Sequence, residues 1–306
     1  MLKIINKSIL LLLLTISALS FSQQEASVWY FGLNAGIKFD PSGAVTPLTD
    51  GQLYTSEGCA TIADTSGNLL FYTDGVTVYN RNHGIMPNGT GLTGDSSTTQ
   101  SATIVQKPGT INLFYIFTLD SFAGANGFRY SVVDITLDGG LGAITTEKNI
   151  LVYTPSNEKI AIVKHPNNID FWVVTHGWNN NIFYSYLLTS TGLSAIPVIS
   201  NVGLITDGIT ENAWGYMKIS PDGTKLAICN SHINAELLDF NSSNGVVSNP
   251  IILNTLQSNV GFNYGLEFSQ NSEILYLSTI NNQSIPSTVT QYNTLSSNVV
   301  GSAQIL

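Results

Sequence analysis

The stretch Tyr216–Cys229, YMKISPDGTKLAIC, contains the unit on which the fold of this chain depends. A short apolar strand leads into the polar turn Ser220–Gly223, and a second apolar strand, Leu226–Cys229, follows the turn. Proline sets φ for the start of a turn, and glycine readily takes a positive φ. The stretch therefore predicts two antiparallel strands joined by a tight turn.

The same strand–turn–strand unit occurs five times along the chain. Its second strands, 43 to 58 residues apart, are centred near Leu70, Leu113, Phe171, Leu226 and Leu275. A third strand with alternating polar residues follows in each unit, as at Glu236–Asp239, and then a more solvated fourth strand, as at Val246–Leu253. Repeats of this length with four strands each are typical of β-propellers.

We therefore predict an all-β chain that forms a β-propeller of four-stranded blades over residues 23–306. Five blades are readable, and Val28–Phe31 with Gly36–Phe39, closing at Ala44–Leu48, predict the outer strands of a further blade. The complete ring would have six or seven blades, with its closing strands expected after Leu306. A pair of β-sandwich domains is the alternative, but it does not predict a recurring unit.

The first residues have the order of a secretory signal peptide. Lys3 and Lys7 precede the apolar run Ile9–Leu19, and small and polar residues follow it. The run is too short to cross a bilayer comfortably, so we predict a signal peptide over residues 1–22, with an uncleaved anchor as the alternative. The expected location is secreted or at the cell surface, with no membrane span after cleavage.

The charge of the chain argues against nucleic acid as a partner. It has 20 acidic and 11 basic residues, a net charge of −9, which becomes −11 once Lys3 and Lys7 leave with the signal peptide. Nucleic-acid binders instead carry basic patches that neutralise phosphates. Acidic ligands are disfavoured for the same reason.

No cofactor or metal ion is expected from the sequence. The chain has four histidines, none at metal-ligand spacing, and its two cysteines, Cys59 and Cys229, do not form a CxxC pair. A disulfide between these cysteines is possible in an exported protein. Because both lie in apolar, strand-like runs, we favour two separate buried thiols. The histidines are expected at the surface, and Trp29, Trp172 and Trp178 are expected to pack in the core.

Several segments near the N-terminus resemble a known family. They are Trp29–Gly32, Glu57–Thr61, Gly67–Gly75, Asn80–His83 and Met86–Leu92. They resemble the N-terminal propeller region of large secreted Bacteroidota surface proteins that have a gliding-motility-associated C-terminal region and use type IX secretion with a type B sorting domain. The resemblance implies an exported, adhesin-like protein with further domains downstream. The sorting region itself does not occur in this sequence.

Five residues share one relative position, at or just before the start of each innermost strand. They are Glu57, Gln100, Glu158, Trp214 and Asn263. In a propeller these strand ends converge around the central channel, where a ring of polar groups with one tryptophan suits a sugar or a peptide. The alternative is that they are ordinary solvated strand ends.

From these observations we expect a secreted, non-catalytic binding or adhesion module whose loops bind an extracellular glycan or protein. The sequence contains no GxSxG elbow and no phosphate-binding glycine loop. The alternative is an extracellular carbohydrate-active hydrolase or lyase that uses Glu57 and Glu158, because two carboxylates across a cleft serve that chemistry. A structural spacer is a third possibility.

Overall fold

The architecture is a ring of small antiparallel sheets. A computed structural model describes residues 24–253, 261–281 and 286–306. These residues form six sheets, the blades of a six-bladed β-propeller, which confirms the predicted fold class. The predicted signal peptide, residues 1–22, lies outside the described residues.

The first three blades contain three, four and five strands. In chain order these strands are β1 (Val28–Phe31), β2 (Ala35–Phe39) and β3 (Val45–Leu48) in blade 1; β4 (Ala60–Ala63), β5 (Leu69–Thr73), β6 (Thr77–Asn80) and β7 (Ile85–Thr90) in blade 2; and β8 (Ala102–Gln106), β9 (Leu113–Leu119), β10 (Phe128–Asp134), β11 (Ala143–Ile144) and β12 (Ile150–Tyr153) in blade 3.

The last three blades contain five, four and four strands. These strands are β13 (Ser156–Lys164), β14 (Phe171–Gly177), β15 (Asn180–Thr189), β16 (Gly192–Leu193) and β17 (Val198–Thr206) in blade 4; β18 (Met217–Ile219), β19 (Lys225–Asn230), β20 (Asn234–Asn241) and β21 (Val246–Ile252) in blade 5; and β22 (Phe262–Phe268), β23 (Ile274–Ile280), β24 (Thr288–Asn293) and β25 (Gln304–Ile305) in blade 6.

The turns between the first two strands of the blades form as their residues predict. In blade 5 the N–H of Gly223 donates to the carbonyl of Ser220 at 2.8 Å, and Gly223 has a φ of 71°. The carboxylate of Asp222 accepts the Thr224 N–H at 3.1 Å and the Ser220 hydroxyl at 2.6 Å. An aspartate that bonds the backbone two residues on is the usual stabiliser of such turns.

The hydrophobic core is divided into layers between consecutive blades. Five apolar clusters are present among the described residues, and each is built from neighbouring sheets. Phe71 of blade 2 packs edge-on against Phe114 of blade 3, with ring centroids 5.6 Å apart. Since blades 2 to 5 are each covered on both faces by their neighbours, their second strands are apolar on both sides, which explains their continuous apolar sequences.

Two expectations about single residues are wrong. Trp29 is 49% exposed rather than packed, because it lies on the outward face of β1 while Val28 and Tyr30 face blade 2. His176, expected at the surface, is buried near the channel end of β14. Its Nδ1 lies 2.9 Å from the Asn157 amide nitrogen, and burial lowers its pKa to about 3.

Candidate functional site

The five predicted site residues lie at one end of the ring, where the innermost strands begin. Glu57 and Gln100 precede β4 and β8, Trp214 precedes β18, and Glu158 and Asn263 lie in the first halves of β13 and β22. We call this end the channel mouth and define it by these five residues together with Thr99. These residues differ in their burial and in their hydrogen-bond partners, and these differences show which side chains support the fold and which are available to a ligand.

The amide of Gln100 ties three blades together. Its Oε1 accepts the backbone N–H groups of Ile160 at 3.1 Å and Met217 at 2.9 Å, and its Nε2 donates to the Ile160 carbonyl at 2.8 Å. Innermost strands have a sheet edge that faces the channel, so their N–H and C=O groups need other partners. Gln100 supplies those partners, which leaves its amide committed to the fold.

Glu158 has a similar structural commitment. Its Oε2 accepts the N–H of Thr99 at 2.8 Å and the Thr99 hydroxyl at 3.1 Å, and its Oε1 accepts the N–H of Phe122 at 2.7 Å. The residue is fully buried, and burial raises its pKa while these hydrogen bonds and the nearby Lys159 oppose the rise. Hydrogen bonds occupy both oxygens of this carboxylate, so we assign Glu158 a positioning role.

Glu57 is the carboxylate at the mouth whose lone pairs are least committed. The residue is half-buried, and among the described residues its Oε2 has no hydrogen-bond partner. Burial raises the pKa of Glu57, the Tyr264 side chain opposes the rise by hydrogen bonding, and the charges of Glu158 and Asp95 add to it. A carboxyl with a raised pKa beside a channel has the properties of a proton-transfer group.

Two hydrogen-bond donors lie at the same end. The indole Nε1 of Trp214 and the amide Nδ2 of Asn263 are buried and lack partners within the described part of the chain. Asn263 is held by its other atoms, because its Oδ1 accepts the Thr279 hydroxyl at 3.0 Å and its N–H donates to the Ser231 carbonyl. Buried polar groups are almost always hydrogen-bonded, so these two donors are candidates to contact a polar molecule.

Aromatic rings form a row beside these donors. The ring centroid of Trp214 is 5.5 Å from that of Phe122 and 6.2 Å from that of Phe262. Phe262 in turn lies 5.4 Å from His232 and 6.2 Å from Tyr264. Aromatic faces of this kind pack on the apolar face of a sugar ring or a similar ligand. Phe122 is not among the site residues predicted from the sequence, although an aromatic residue inside a polar, glycine-containing loop is a signal that points to it.

The charges at the mouth are acidic. The one cation contributed there by the described residues is Lys159, which is fully buried and donates from Nζ to the carbonyls of Ala213 at 2.6 Å and Asn212 at 3.3 Å. Burial lowers its pKa, and the neighbouring Glu158 partly opposes that effect. The six residues that define the mouth, and their hydrogen-bond partners given above, therefore include no exposed ammonium or guanidinium group.

The channel widens on the other side of Gln100. A cavity of about 740 Å³ lies there, lined by the inner strands β4, β8, β13 and β18. Its lining includes Thr61, Ile104 and Lys164 but not Glu57, Trp214 or Asn263. This cavity reaches the mouth at Thr99 and Gln100 but does not contact Glu57, Trp214 or Asn263. We therefore place the candidate site at the mouth.

Within residues 24–253, 261–281 and 286–306, no cluster of three or more His, Cys, Asp and Glu side chains could hold a metal ion. In the same ranges no helix is long and apolar enough to span a membrane.

Comparison with known proteins identifies similar structures but no family. No family model matches the chain, and no curated protein is similar to it in sequence. A candidate 6-phosphogluconolactonase from Bacteroides uniformis is 12% identical, with a TM-score of 0.51 over 89% of this chain and 76% of that protein. A second, from Bacteroides fragilis, is 11% identical, with a TM-score of 0.52 over 91% and 78% of the two chains.

These neighbours correct the functional expectation. The chain was expected to be a non-catalytic adhesion module and not an enzyme, whereas the similar structures are propellers described as enzymes. The physical reason for the error is that a propeller builds its sites from residues on separate blades, so a search for local catalytic motifs does not find them. At this level of identity the likeness establishes the fold alone.

Proposed function

We propose that this protein is a hydrolase that opens an uncharged sugar lactone, a cyclic ester, at the channel mouth. The observation that carries the proposal is Glu57, a half-buried carboxyl with a raised pKa and an oxygen without a partner among the described residues. Support also comes from the similar propellers, which are described as candidate lactonases.

In the proposed reaction Glu57 acts as a general base. It takes a proton from a water molecule whose oxygen attacks the lactone carbonyl carbon, which places negative charge on the carbonyl oxygen. Trp214 Nε1 and Asn263 Nδ2 are donors suited to stabilise that oxyanion, and such donors act most strongly where water is excluded. The ring C–O bond then breaks, and the proton on Glu57 passes to the leaving oxygen to give a hydroxy acid.

The site favours ester over glycoside chemistry. Glycosidases use two carboxyl groups in distinct roles. At this mouth Glu158 is held by three hydrogen bonds, which leaves Glu57 without the partner that the sequence analysis assigned to it. Hydrolysis of a lactone needs one base and an oxyanion site, which the described residues can supply.

The acidic mouth also favours an uncharged substrate. The charge of Glu158 is close enough to raise the pKa of Glu57, and the buried ammonium of Lys159 is already bonded to two carbonyls. A phosphate group normally requires exposed arginine or lysine side chains. We therefore propose that a sugar lactone without phosphate is preferred over its phosphorylated form.

Proton release in a pH-stat tests the proposal, with glucono-δ-lactone and 6-phosphogluconolactone as substrates and aryl glycosides as a comparison. We expect hydrolysis of glucono-δ-lactone well above the spontaneous rate, a slower reaction with the phosphorylated lactone and none with the glycosides. Glu57→Gln should lower kcat by about 100-fold or more, the usual contribution of a general base. Glu273→Gln, at an exposed turn of blade 6, is the matched control and should leave kcat unchanged.

Activity that survives Glu57→Gln would contradict the role of Glu57, and hydrolysis of glycosides but not lactones would contradict the substrate class. Export through the predicted signal peptide, and an extracellular glycan or protein as a partner, are proposals supported by the sequence.

A further inference from the structure

Phe122 and Trp214 meet across two different blades. Phe122 lies in the loop between β9 and β10 of blade 3, and Trp214 lies three residues before the start of β18 in blade 5. Their ring centroids are 5.5 Å apart with an interplanar angle of 72°, and Phe122 is 40% exposed. Two aromatic rings that stand edge to face at the rim of a channel offer one exposed face to an incoming ring.

The backbone of Phe122 has an unfavourable conformation. Its φ is 54° and its ψ is 35°, and Ala123 has a φ of 54° as well. Residues with a side chain rarely occupy this left-handed region, and such outliers persist where the surrounding structure enforces them, often at ligand sites. The Phe122 N–H donates to Glu158 Oε1 at 2.7 Å, so a buried carboxylate holds the strained residue in place.

Trp214 is positioned by Lys159, the residue that follows Glu158 in β13. Lys159 donates from Nζ to the carbonyl of Ala213 at 2.6 Å, immediately before Trp214. The following N–H, of Gly215, donates to the Thr99 hydroxyl at 3.2 Å. Successive side chains of a strand point in opposite directions. Glu158 can therefore reach the loop that contains Phe122 while Lys159, the next residue of β13, reaches the segment that leads to Trp214.

We propose that Phe122 and Trp214 form a clamp that binds the apolar face of the substrate's sugar ring, and that Glu158 and Lys159 are positioning residues for this clamp. The inference rests on the proposed function for the identity of the substrate and deepens it by naming what binds the ring. Aromatic faces stack on the C–H groups of a sugar, and the acidic mouth leaves an uncharged ring as the ligand.

The strained backbone provides a test with opposite effects on stability and binding. Phe122→Gly removes the ring but relieves the positive φ, so we expect unchanged or higher thermal stability together with at least a tenfold weaker affinity. Ala123→Gly is the matched control, because it relieves the same kind of strain one residue later and keeps the ring. It should raise stability without a change in affinity.

Affinity is measured by calorimetry with gluconolactam, an uncharged analogue whose amide resists hydrolysis. Trp214→Ala should weaken binding at least tenfold and, because it also removes a proposed oxyanion donor, lower kcat as well, whereas Phe122→Gly should raise KM for the lactone more than it lowers kcat. Unchanged affinity in Phe122→Gly and Trp214→Ala would overturn the clamp. Glu57→Gln should keep its affinity for the lactam, so a failure of the proposed chemistry and a failure of the clamp give different results.

The positioning role is tested at Glu158. Glu158→Gln keeps an oxygen that can accept the Phe122 N–H, so it should retain most of the affinity, whereas Glu158→Leu should lose it as fully as Phe122→Gly does. The intrinsic fluorescence of Trp214 in the lactam complex, taken as a difference from Trp214→Phe, reports whether the clamp is formed. Equal affinities in the Gln and Leu variants would contradict the positioning role of Glu158.

Discussion

The side-chain oxygen of Gln100 in blade 3 accepts the backbone N–H of Met217 in blade 5 at 2.9 Å, although 117 positions separate the two residues in the chain. The same oxygen accepts the N–H of Ile160 from the intervening blade. One amide therefore joins the inner edges of three blades and separates the mouth from the wider channel. It couples the stability of the ring to the geometry of the site.

Gln100→Met should destabilise the protein through these contacts. Methionine is similar in length but cannot hydrogen bond as the amide does, so two buried N–H groups and one buried carbonyl lose their partner. Each unsatisfied group costs about 1–3 kcal/mol, and we expect a total loss of about 3–5 kcal/mol in the free energy of unfolding. Chemical denaturation measures it. Gln106→Met, at an exposed position of β8, should change the free energy by less than about 0.5 kcal/mol.

A small loss in Gln100→Met, comparable with that in Gln106→Met, would show that water or other groups replace the amide. The three-blade contact would then not be a main support of the ring.

The position of the mouth could be predicted from the sequence because every unit has the same layout. Residues placed just before equivalent strands must meet at one end of a ring, and Glu57 and Trp214 do so. The strand predictions for β5, β9 and β19 hold for the same reason, since apolar runs bounded by turn residues are a strong local signal. In blade 3 the predicted solvated fourth strand is instead divided between β11 and β12.

The chemical roles could not be predicted, because they depend on contacts between distant residues. Glu57 and Glu158 look equivalent in the sequence, but Thr99, 59 positions away, takes up one oxygen of Glu158. Phe122 belongs to a loop whose left-handed backbone is held by a residue 36 positions further along. Neither of these two contacts produces a repeating pattern in the sequence from which it could be predicted. The functional expectation failed for the same reason, since the site has no local motif.

Gly58→Ala should damage the mouth more than most glycine substitutions. A Cβ at Gly58 would lie 2.2 Å from the backbone nitrogen of Ser101 and 2.7 Å from the carbonyl oxygen of Thr98. Both are backbone atoms, so the inner strands of blades 2 and 3 would have to separate, and Glu57 would move with them. We expect a destabilisation of about 2–4 kcal/mol, in the range of overpacked cores. Gly84→Ala is the control, because its nearest atoms are 3.4 Å away in the Asn80 side chain.

Thermal unfolding gives the stability of both variants, and lactone hydrolysis gives the effect on the site. A Gly58→Ala protein with the stability and kcat of Gly84→Ala would contradict the close approach of blades 2 and 3 at this position.

The two cysteines should remain thiols that react slowly. Cys59 is half-buried and its Sγ lies 3.5 Å from the Tyr30 carbonyl, while Cys229 is fully buried in β19. Burial raises the pKa of Cys59 to about 11 and that of Cys229 further, so little thiolate exists at neutral pH. A thiol reagent should label two groups per chain in denaturant without reductant, and neither at an appreciable rate in the native protein. Cys59→Ser should leave one group, labelled only on unfolding.

A count of zero in the denatured, unreduced chain would contradict the separate placement of the two residues.

Glu236 should make the stability fall as the pH rises towards neutrality. Its two oxygens each lie 3.1 Å from the N–H of Leu204 in the neighbouring blade, and burial raises its pKa from 4.5 to about 7. Because the folded state prefers the protonated carboxyl, the stabilising contribution is complete below pH 4.5 and is lost as the pH rises from 4.5 to 7. The shift corresponds to about 3 kcal/mol at most. The Glu236→Gln variant has no carboxyl group at this position. The difference between its free energy of unfolding and that of the wild type should therefore increase, in favour of the variant, as the pH rises across this range.

The comparison must be made as a difference between the two proteins at each pH. His176 acts in the opposite direction, because its pKa is lowered from 6.5 to about 3 and its contribution is lost as the pH falls through that interval. Both proteins contain His176, so its effect cancels in the difference and the remaining slope belongs to Glu236. Denaturation of wild type and variant at pH 4.5, 5.5, 6.5 and 7.5 measures that slope. A difference that stays constant from pH 4.5 to 7.5 would mean that Glu236 titrates in the folded protein as it does in the unfolded chain, and that its carboxyl is solvated rather than buried between blades 4 and 5.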